Sequence, residues 1–203
     1  MKSLSILLFS LLLNFAHSQL SEKPFHIEAK YLAGNIDTSI YNGGSLGFEW
    51  RFHKYIGVNY NFDLLYKSNQ YRHIHTPMGV VGGPILIAAG FSNLFSVNTA
   101  NSSGFGIAAG IFLLALPDGV SFHLPLAYKW DLSVNANVLG IDFVKDRNSG
   151  ASWIKYACSF GAKGIYSLNE YFTASIFLET RKTAGYEWGI GGGAGIGVAF
   201  GDR

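Results

Sequence analysis

Side chains that could do chemistry are few in this sequence of 203 residues. The closest histidines, His73 and His75, would share one face of a β-strand and could bind a metal together. No Cys or carboxylate lies at ligand spacing, and polar residues surround the pair, so we interpret the segment as a solvated loop. Cys158 is the sole cysteine and falls on an apolar face, where an inert side chain is expected. No nucleophile elbow, zinc-protease motif or phosphate loop occurs in a suitable context. We therefore predict no metal, cofactor or catalytic residue.

The N-terminus has the three parts of a secretory signal. A basic start at residues 1–3 precedes an apolar run at 4–15, and Ala16 and Ser18 supply small residues at the −3 and −1 positions. The apolar run is shorter than the roughly 20 residues that a transmembrane helix needs. No cysteine lies near the cut, as a lipoprotein would require. We predict a signal peptide at 1–18, Sec-type export and a single mature domain at 19–203.

The composition narrows the class of the mature domain. Charged residues make up 14% of the chain and hydrophobic residues 49%, with 25 glycines, whereas soluble domains carry roughly a quarter charged residues. Basic side chains are scattered and the formal net charge is +2, which gives no reason to expect nucleic-acid binding. A lone cysteine also excludes an internal disulfide framework.

Alternation of apolar and polar residues with a period of two is the strongest pattern and predicts β-strands. A phase slip at Val138 and Leu139 predicts a β-bulge. Short connections near 53–54, 129–131 and 167–170 alternate with longer ones, as in up-and-down outer-membrane barrels. Eight segments show the pattern: 25–33, 45–52, 56–66, 120–128, 132–143, 154–163, 172–179 and 186–200.

The segment 78–116 breaks the pattern, because residues 78–91 and 104–116 are apolar almost throughout. They can form two more strands, for a total of ten, or two short helices inserted on the loop side. Pro84 and the loss of alternation favour helices, and Gly106 and Gly110 would allow close helix packing. We favour eight strands with an apolar helical insert.

Alternation alone does not decide whether the apolar face meets lipid or a protein core. The opposite face is rich in Gly, Ser and Asn, which suits a narrow lumen better than a wet surface. Aromatic residues near the strand ends also match the two interfacial girdles of a membrane barrel. We therefore favour lipid over the alternative of a soluble exported β-protein. The predicted membrane-interface aromatics are Trp50, Phe52, Tyr66, Tyr128, Trp188 and Phe200.

The signal, the eight alternating segments and the aromatic end of the last strand resemble small outer-membrane β-barrel proteins of the OmpA/OmpX-like or OmpW-like type. The resemblance is one of pattern and matches no residue motif. It implies an all-β, antiparallel up-and-down transmembrane β-barrel in the Gram-negative cell outer membrane, in contact with lipid and lipopolysaccharide. In that family the insertion machinery reads a terminal strand that usually ends in Phe. Here residues 201–203 follow Phe200, which departs from the pattern.

Some eight-stranded barrels are lipid A-modifying enzymes, so this class has to be considered. Lipid A deacylases are similar in size to this chain, and they use His and Ser two residues apart on a strand that faces lipid. Ser121 and His123 have this spacing in reversed order. The alternation places both on the lumen face, where we interpret them as hydrogen-bonded polar residues.

The predicted lumen face carries nearly balanced charges. Eight strands leave an interior that side chains fill, and an unpaired buried charge is costly, so these charges should pair and plug the barrel. We predict a non-enzymatic structural or surface-interaction protein whose protein partner the sequence does not identify. The alternatives are a narrow, porin-like channel for small or hydrophobic solutes and a lipid A-modifying enzyme. The predicted charge network comprises Glu28, Lys30, Glu49, Arg51, Asp63, Lys155, Lys163, Glu179 and Glu187.

The signal prediction can be tested on the purified protein. Its intact mass should correspond to a chain that begins at Gln19, because the signal peptidase cuts after the small residue at −1. Recovery of a chain that still carries residues 1–18 would contradict the prediction.

Overall fold

The computed structural model describes residues 23–36, 39–67, 70–94 and 100–202. The predicted signal at 1–18 lies outside these residues and stays a prediction. Most of the described chain forms extended, antiparallel strands, as the alternation predicts. The strands are β1 (Phe25–Ile36), β2 (Ser39–His53), β3 (Ile56–Lys67), β4 (Tyr71–Pro77), β5 (Gly119–Ala127), β6 (Trp130–Asp146), β7 (Ser152–Ser167), β8 (Phe172–Thr183) and β9 (Gly189–Phe200), and the helices are α1 (Met78–Leu94) and α2 (Ala100–Leu114).

The strands close into a ring of eight staves, a stave being one position in the barrel wall. Each consecutive pair is antiparallel, and β1 pairs with β9 to close the ring. Two short strands share the fourth stave, because β4 and β5 both lie between β3 and β6. Phe25 pairs with Phe200 at the end of the barrel where β1 begins and β9 ends, which we call the terminal side; the opposite end is the loop side. The predicted eight-membered all-β barrel is confirmed.

Asp118 joins the two halves of the fourth stave through its backbone. Its N–H donates to the carbonyl of Asn59 at 2.7 Å, and its carbonyl accepts from the N–H groups of Val138 and Leu139, each at 2.9 Å. The register of β6 against β7 shifts between Asn137 and Gly140, which confirms the predicted bulge. The bulge turns two successive N–H groups towards one carbonyl, so the interrupted wall keeps its hydrogen bonds.

The apolar insert forms two antiparallel helices, as favoured, but its predicted position on the loop side is wrong. Pro77 pairs with Gly140 and Gly119 pairs with Asn137, so the hairpin leaves the wall in the middle of β6. The hairpin lies outside the barrel, because the Tyr60 hydroxyl on the outer face donates to the Ala115 carbonyl at 2.7 Å. No helix of the described residues is long and apolar enough to span a bilayer.

Glycines bring the two helices of the hairpin into close contact. A Cβ at Gly83 would lie 2.8 Å from the carbonyl oxygen of Gly110, and one at Gly110 would lie 2.7 Å from that of Gly83. Gly79 likewise lies against the backbone of Leu113, and Gly106 lies against Gly90, so small residues line the contact along both helices. The close packing that the sequence suggested at Gly106 and Gly110 is present.

Three further details of the sequence-based prediction need correction. The segment with His73 and His75 is strand β4 and not a solvated loop, because its backbone pairs with β3 and β6. The connections at the loop side are shorter than the alternation pattern predicts. The strands extend beyond their alternating segments there, so that β1 ends at Ile36 and β2 begins at Ser39. The last strand begins at Gly189, so Glu187 and Trp188 precede it.

The two faces of the wall differ in polarity. Apolar side chains point outward and are exposed, including Ile176 at 67% and Ile196 at 71%. Polar and charged side chains point inward and are buried. On β9 the inward positions from Gly189 to Gly197 are glycines, and a Cβ at Gly195 would lie 2.9 Å from both Glu28 Oε1 and Ser175 Oγ. These glycines leave room for the longer inward side chains of β1 and β8.

This packing can be tested at neighbouring positions of β9. Gly195→Val should lower the free energy of unfolding by about 1–3 kcal/mol, the usual cost of overpacking a filled interior. Ala194→Val, on the exposed outer face, serves as the matched control and should have little effect. Urea unfolding in detergent provides the measurement, and equal effects of the two substitutions would contradict the assigned faces.

Candidate functional site

The barrel interior is the candidate site, and its terminal-side half centres on Arg51. This guanidinium is fully buried, with Nε 3.1 Å from Glu49 Oε1 and Nη1 3.0 Å from Asp131 Oδ2. The His123 ring lies between the same two carboxylates, because Nδ1 is 3.2 Å from Asp131 Oδ2 and Nε2 contacts Glu49 Oε1. The Ser121 hydroxyl donates to Glu49 Oε1 at 2.8 Å. We call these five residues the arginine cluster.

Glu28 forms a second ion pair, across the lumen from its own strand. Lys163 Nζ on β7 lies 2.9 Å from Glu28 Oε2, and the Ser175 hydroxyl on β8 donates to Glu28 Oε1. Lys30 donates instead to the side-chain oxygen of Asn61 at 3.2 Å. The interior therefore pairs residues of β1 and β7 that are 135 positions apart in sequence.

The loop-side half of the interior contains a third group of charges. Arg181 on β8 contacts Asp63 on β3, and its Nε lies 3.7 Å from Glu179 Oε1. Beside it, His75 Nδ1 lies 2.8 Å from Asp142 Oδ1, and the Thr183 hydroxyl donates to Asp142 Oδ2 at 2.5 Å. Of these contacts, the pair of Arg181 with Asp63 links opposite walls of the ring.

Asp118 also connects the wall junction to this group. Its Oδ2 lies 3.4 Å from His75 Nε2 and accepts a hydrogen bond from the Asn61 amide at 3.2 Å. The His73 ring is buried, with Nδ1 3.8 Å from Asp142 Oδ2. Both histidines point into the interior, as residues two apart on one strand must. In the described residues, no group of three or more His, Cys, Asp or Glu side chains is placed to hold a metal.

Ser121, His123 and Asp131 have the outline of a hydrolytic triad. His123 Nε2 lies 3.1 Å from the Ser121 oxygen, and Nδ1 lies 3.2 Å from Asp131. A triad base needs a free Nε2 lone pair to take the serine proton. Here the Glu49 carboxylate contacts Nε2 and also accepts the serine proton in a hydrogen bond. All of these side chains are buried, so this geometry supports an interior hydrogen-bond network.

Little free volume remains inside the barrel. The cavity between the charged groups measures about 50 Å³, which is room for a few water molecules. An apolar cluster fills the loop-side end, with Tyr186 packed against it. This cluster consists of Leu32, Ile36, Tyr41, Leu65 and Phe177.

The predicted lumen charges fall into two groups. Seven of the nine residues form the first group and lie inside the barrel: Glu28, Lys30, Glu49, Arg51, Asp63, Lys163 and Glu179. The other two lie near the loop-side end, where Lys155 Nζ sits 4.4 Å from the centre of the Tyr186 ring and Glu187 is exposed. Sequence reasoning missed Arg181, Asp131, Asp142 and Asp118, although the slip at 138–139 already turned Asp142 inward.

The predicted interface aromatics lie on the outside of the ring. Trp50 and Phe52 meet edge to face with ring centres 6.2 Å apart, and Phe200 stacks on Phe25 at 5.5 Å. Tyr128 is exposed at the terminal side. At the loop side, Trp188 contacts Phe160 at 6.1 Å, and the Arg72 guanidinium lies 5.3 Å from the Tyr66 ring centre.

An ion pair outside the strands links the two chain ends. Lys23 Nζ lies 2.8 Å from Asp202 Oδ1. The hydrogen bond from Lys23 lowers the pKa of the Asp202 carboxyl, and the same bond raises the pKa of the Lys23 ammonium. Both groups are solvent-accessible, so this pair adds little to the closure that β1 and β9 provide through their backbones.

The arginine cluster can be tested with a double-mutant cycle. Arg51→Met should lower the free energy of unfolding by about 3–5 kcal/mol, because it leaves buried carboxylates without their cation. Adding Glu49→Gln should restore part of the loss, so the effects of the two substitutions should not add. Urea unfolding in detergent measures each variant. Lys23→Met, which breaks the exposed pair, is the control and should change stability little. Strictly additive effects of the two interior substitutions would contradict the network.

Comparison with known proteins identifies the fold. No protein-family model and no curated protein matches the sequence. The structure is similar to Ail, the attachment invasion locus protein of Yersinia pestis, with a TM-score of 0.50, 11% identity and coverage of 88% of this chain and 99% of that one. It is equally similar to the N-terminal β-barrel domain of Pseudomonas aeruginosa OprF, with a TM-score of 0.50, 12% identity and coverage of 88% and 99%. The chain has the fold of the small outer-membrane β-barrel proteins.

Proposed function

We propose that this protein is an integral outer-membrane barrel with a structural or surface-interaction role and no catalytic or conducting one. The observation that carries this proposal is the filled interior. Ion-paired side chains from opposite walls meet across the lumen and leave a cavity of about 50 Å³. A barrel of eight strands closed in this way acts through its outer surface and its ends.

The outer face supports residence in a membrane. Its exposed apolar side chains continue around the ring, far beyond the few hundred Å² of contiguous apolar surface that soluble monomers show. Aromatic residues lie near both ends of the strands, as in the girdles of membrane barrels. An exposed apolar band of this kind is stable in lipid and prone to aggregation in water.

The even number of staves, together with the predicted export signal, supports one orientation in the membrane. Strand β1 begins and strand β9 ends on the terminal side, where small barrels have their periplasmic turns. We therefore place the terminal side in the periplasm and the loop side at the cell surface, facing lipopolysaccharide. Delivery would require Sec-type export followed by the outer-membrane insertion machinery.

The two alternative functions need features that the described interior disfavours. A channel for small solutes requires a continuous path, but the charged groups and the apolar cluster occupy the interior. A lipid A-modifying enzyme requires a nucleophile that an acyl chain can reach. Ser121 instead points into the lumen and donates to Glu49.

The proposal makes a direct electrical prediction. Mature protein reconstituted into planar bilayers should show no steady conductance, because the ion pairs block the lumen. A general porin reconstituted in the same way is the positive control. Recovery of the protein in the outer-membrane fraction must accompany this result, and steady conductance by folded protein would overturn the plugged-barrel proposal.

The enzymatic alternative is tested in parallel. Lipid A from cells that express the wild type or Ser121→Ala should have the same mass spectrum as lipid A from cells without the protein. A modification that depends on Ser121 would assign catalysis to this barrel and contradict a purely structural role.

A further inference from the structure

The helical hairpin leaves the barrel wall among apolar surroundings. Outward side chains on the loop side of its exit, such as Ile74, and on its terminal side, such as Phe122 and Val134, are apolar and exposed. Residues 78–116 contain no Asp, Glu, Lys, Arg or His. In the proposed function this level of the wall lies within hydrocarbon, so the hairpin enters the bilayer sideways from the barrel.

The helices themselves fit a hydrocarbon environment. Large apolar side chains are exposed on both of them, with Ile85 on α1 at 62% and Phe112 on α2 at 66%. Outside the Ser- and Asn-rich stretch 92–103, both helices are apolar all round. Such a helix belongs in a core or a membrane, and the barrel covers only the base of this hairpin. Lipid is therefore the surrounding that matches the exposed surface.

A groove forms where the base of the hairpin meets the barrel wall. Leu114 forms one side, and aromatic residues of the first three strands form the other. The groove is open to the outside of the barrel and has a volume of about 410 Å³. We call it the hairpin groove, and its lining consists of Phe25, Phe48, Trp50, Tyr60, Phe62 and Leu114.

The chemistry of the hairpin groove restricts its occupant. No charged side chain lines it, and the Tyr60 hydroxyl already donates to the Ala115 carbonyl. Phe25 and Trp50 pair with each other near the start of β1, so the groove extends from the exit level towards the terminal side. An occupant must therefore be apolar, narrow and available in the leaflet on that side.

We propose that the hairpin groove binds an acyl chain of a phospholipid from the periplasmic leaflet. The proposal rests on the membrane residence and the orientation given above. A chain in this groove touches protein on two sides, with Leu114 opposite the aromatic wall, whereas a chain elsewhere on the convex barrel touches protein on one side. The hairpin thereby converts part of the annular lipid contact into a defined binding site.

The test uses full-length mature protein in vesicles that contain phosphatidylethanolamine with a photoreactive group in one acyl chain. After irradiation, digestion and mass spectrometry locate the labelled residues. Adducts should be enriched severalfold on the groove residues over other outward side chains such as Val134 and Ile176. Even labelling around the ring would overturn the groove but leave membrane residence intact, whereas no labelling on any outward residue would overturn both.

Variants and a second lipid sharpen the result. Leu114→Trp fills the groove and should abolish the enrichment, while Leu124→Trp, also on the exposed outer face, should leave it unchanged. If Leu114→Trp fails to fold, the adduct map of the unmodified protein still decides. In asymmetric vesicles with photoreactive lipopolysaccharide in the opposite leaflet, labelling of the groove by lipopolysaccharide alone would overturn the proposal. Crosslinks between two protein copies at the groove would overturn it as well.

Discussion

Closure of the backbone hydrogen-bond ring is the constraint on which this structure depends, because in the proposed hydrocarbon surroundings no water would satisfy a free N–H or C=O. The pairing of β1 with β9 closes the ring where the chain ends meet. The backbone hydrogen bonds are harder to complete at the fourth stave, because a long insert interrupts the strand there. Asp118 solves it with one N–H and one carbonyl, and the bulge at Val138 and Leu139 supplies the two donors that its carbonyl accepts.

The ring then dictates what the interior must contain. Eight staves enclose a space that inward side chains fill, and charges within it need partners because water cannot screen them. Long side chains such as Arg51, Lys163 and Arg181 reach across the lumen to carboxylates on other strands. The inward glycines of β9 complement these long side chains, because they leave space that side chains of the neighbouring strands β1 and β8 occupy.

Much of this fold could be predicted from the sequence, because alternation is a local property of each strand. The phase slip at Val138 and Leu139 likewise revealed the bulge. Strand β4 was missed because it is short and because Arg72, directly before the two histidines, makes an outward position polar as well. The inward position of Arg181 was missed because the outward positions of β8 become polar near the loop side, at Thr180 and Lys182. The alternation of apolar and polar residues therefore ends before Arg181. The partners of the interior charges, such as Glu28 and Lys163, depend on the curvature of the ring and leave no local trace.

The interrupted stave also divides the strands of the wall into two arms along the chain. The first arm, β1 to β4, and the second, β5 to β9, each consist of consecutive antiparallel strands that local hairpins can form in order. Among the described residues, strands of the two arms pair at two places, which we call seams. Strand β1 pairs with β9 at the first seam, and at the second, in the fourth stave, β3 pairs with β5 and β4 pairs with β6. The hairpin is the sole covalent bridge between the arms and contributes no strand pairing to either seam. A break of the chain between α1 and α2 would therefore leave every pair of hydrogen-bonded strands in the wall intact.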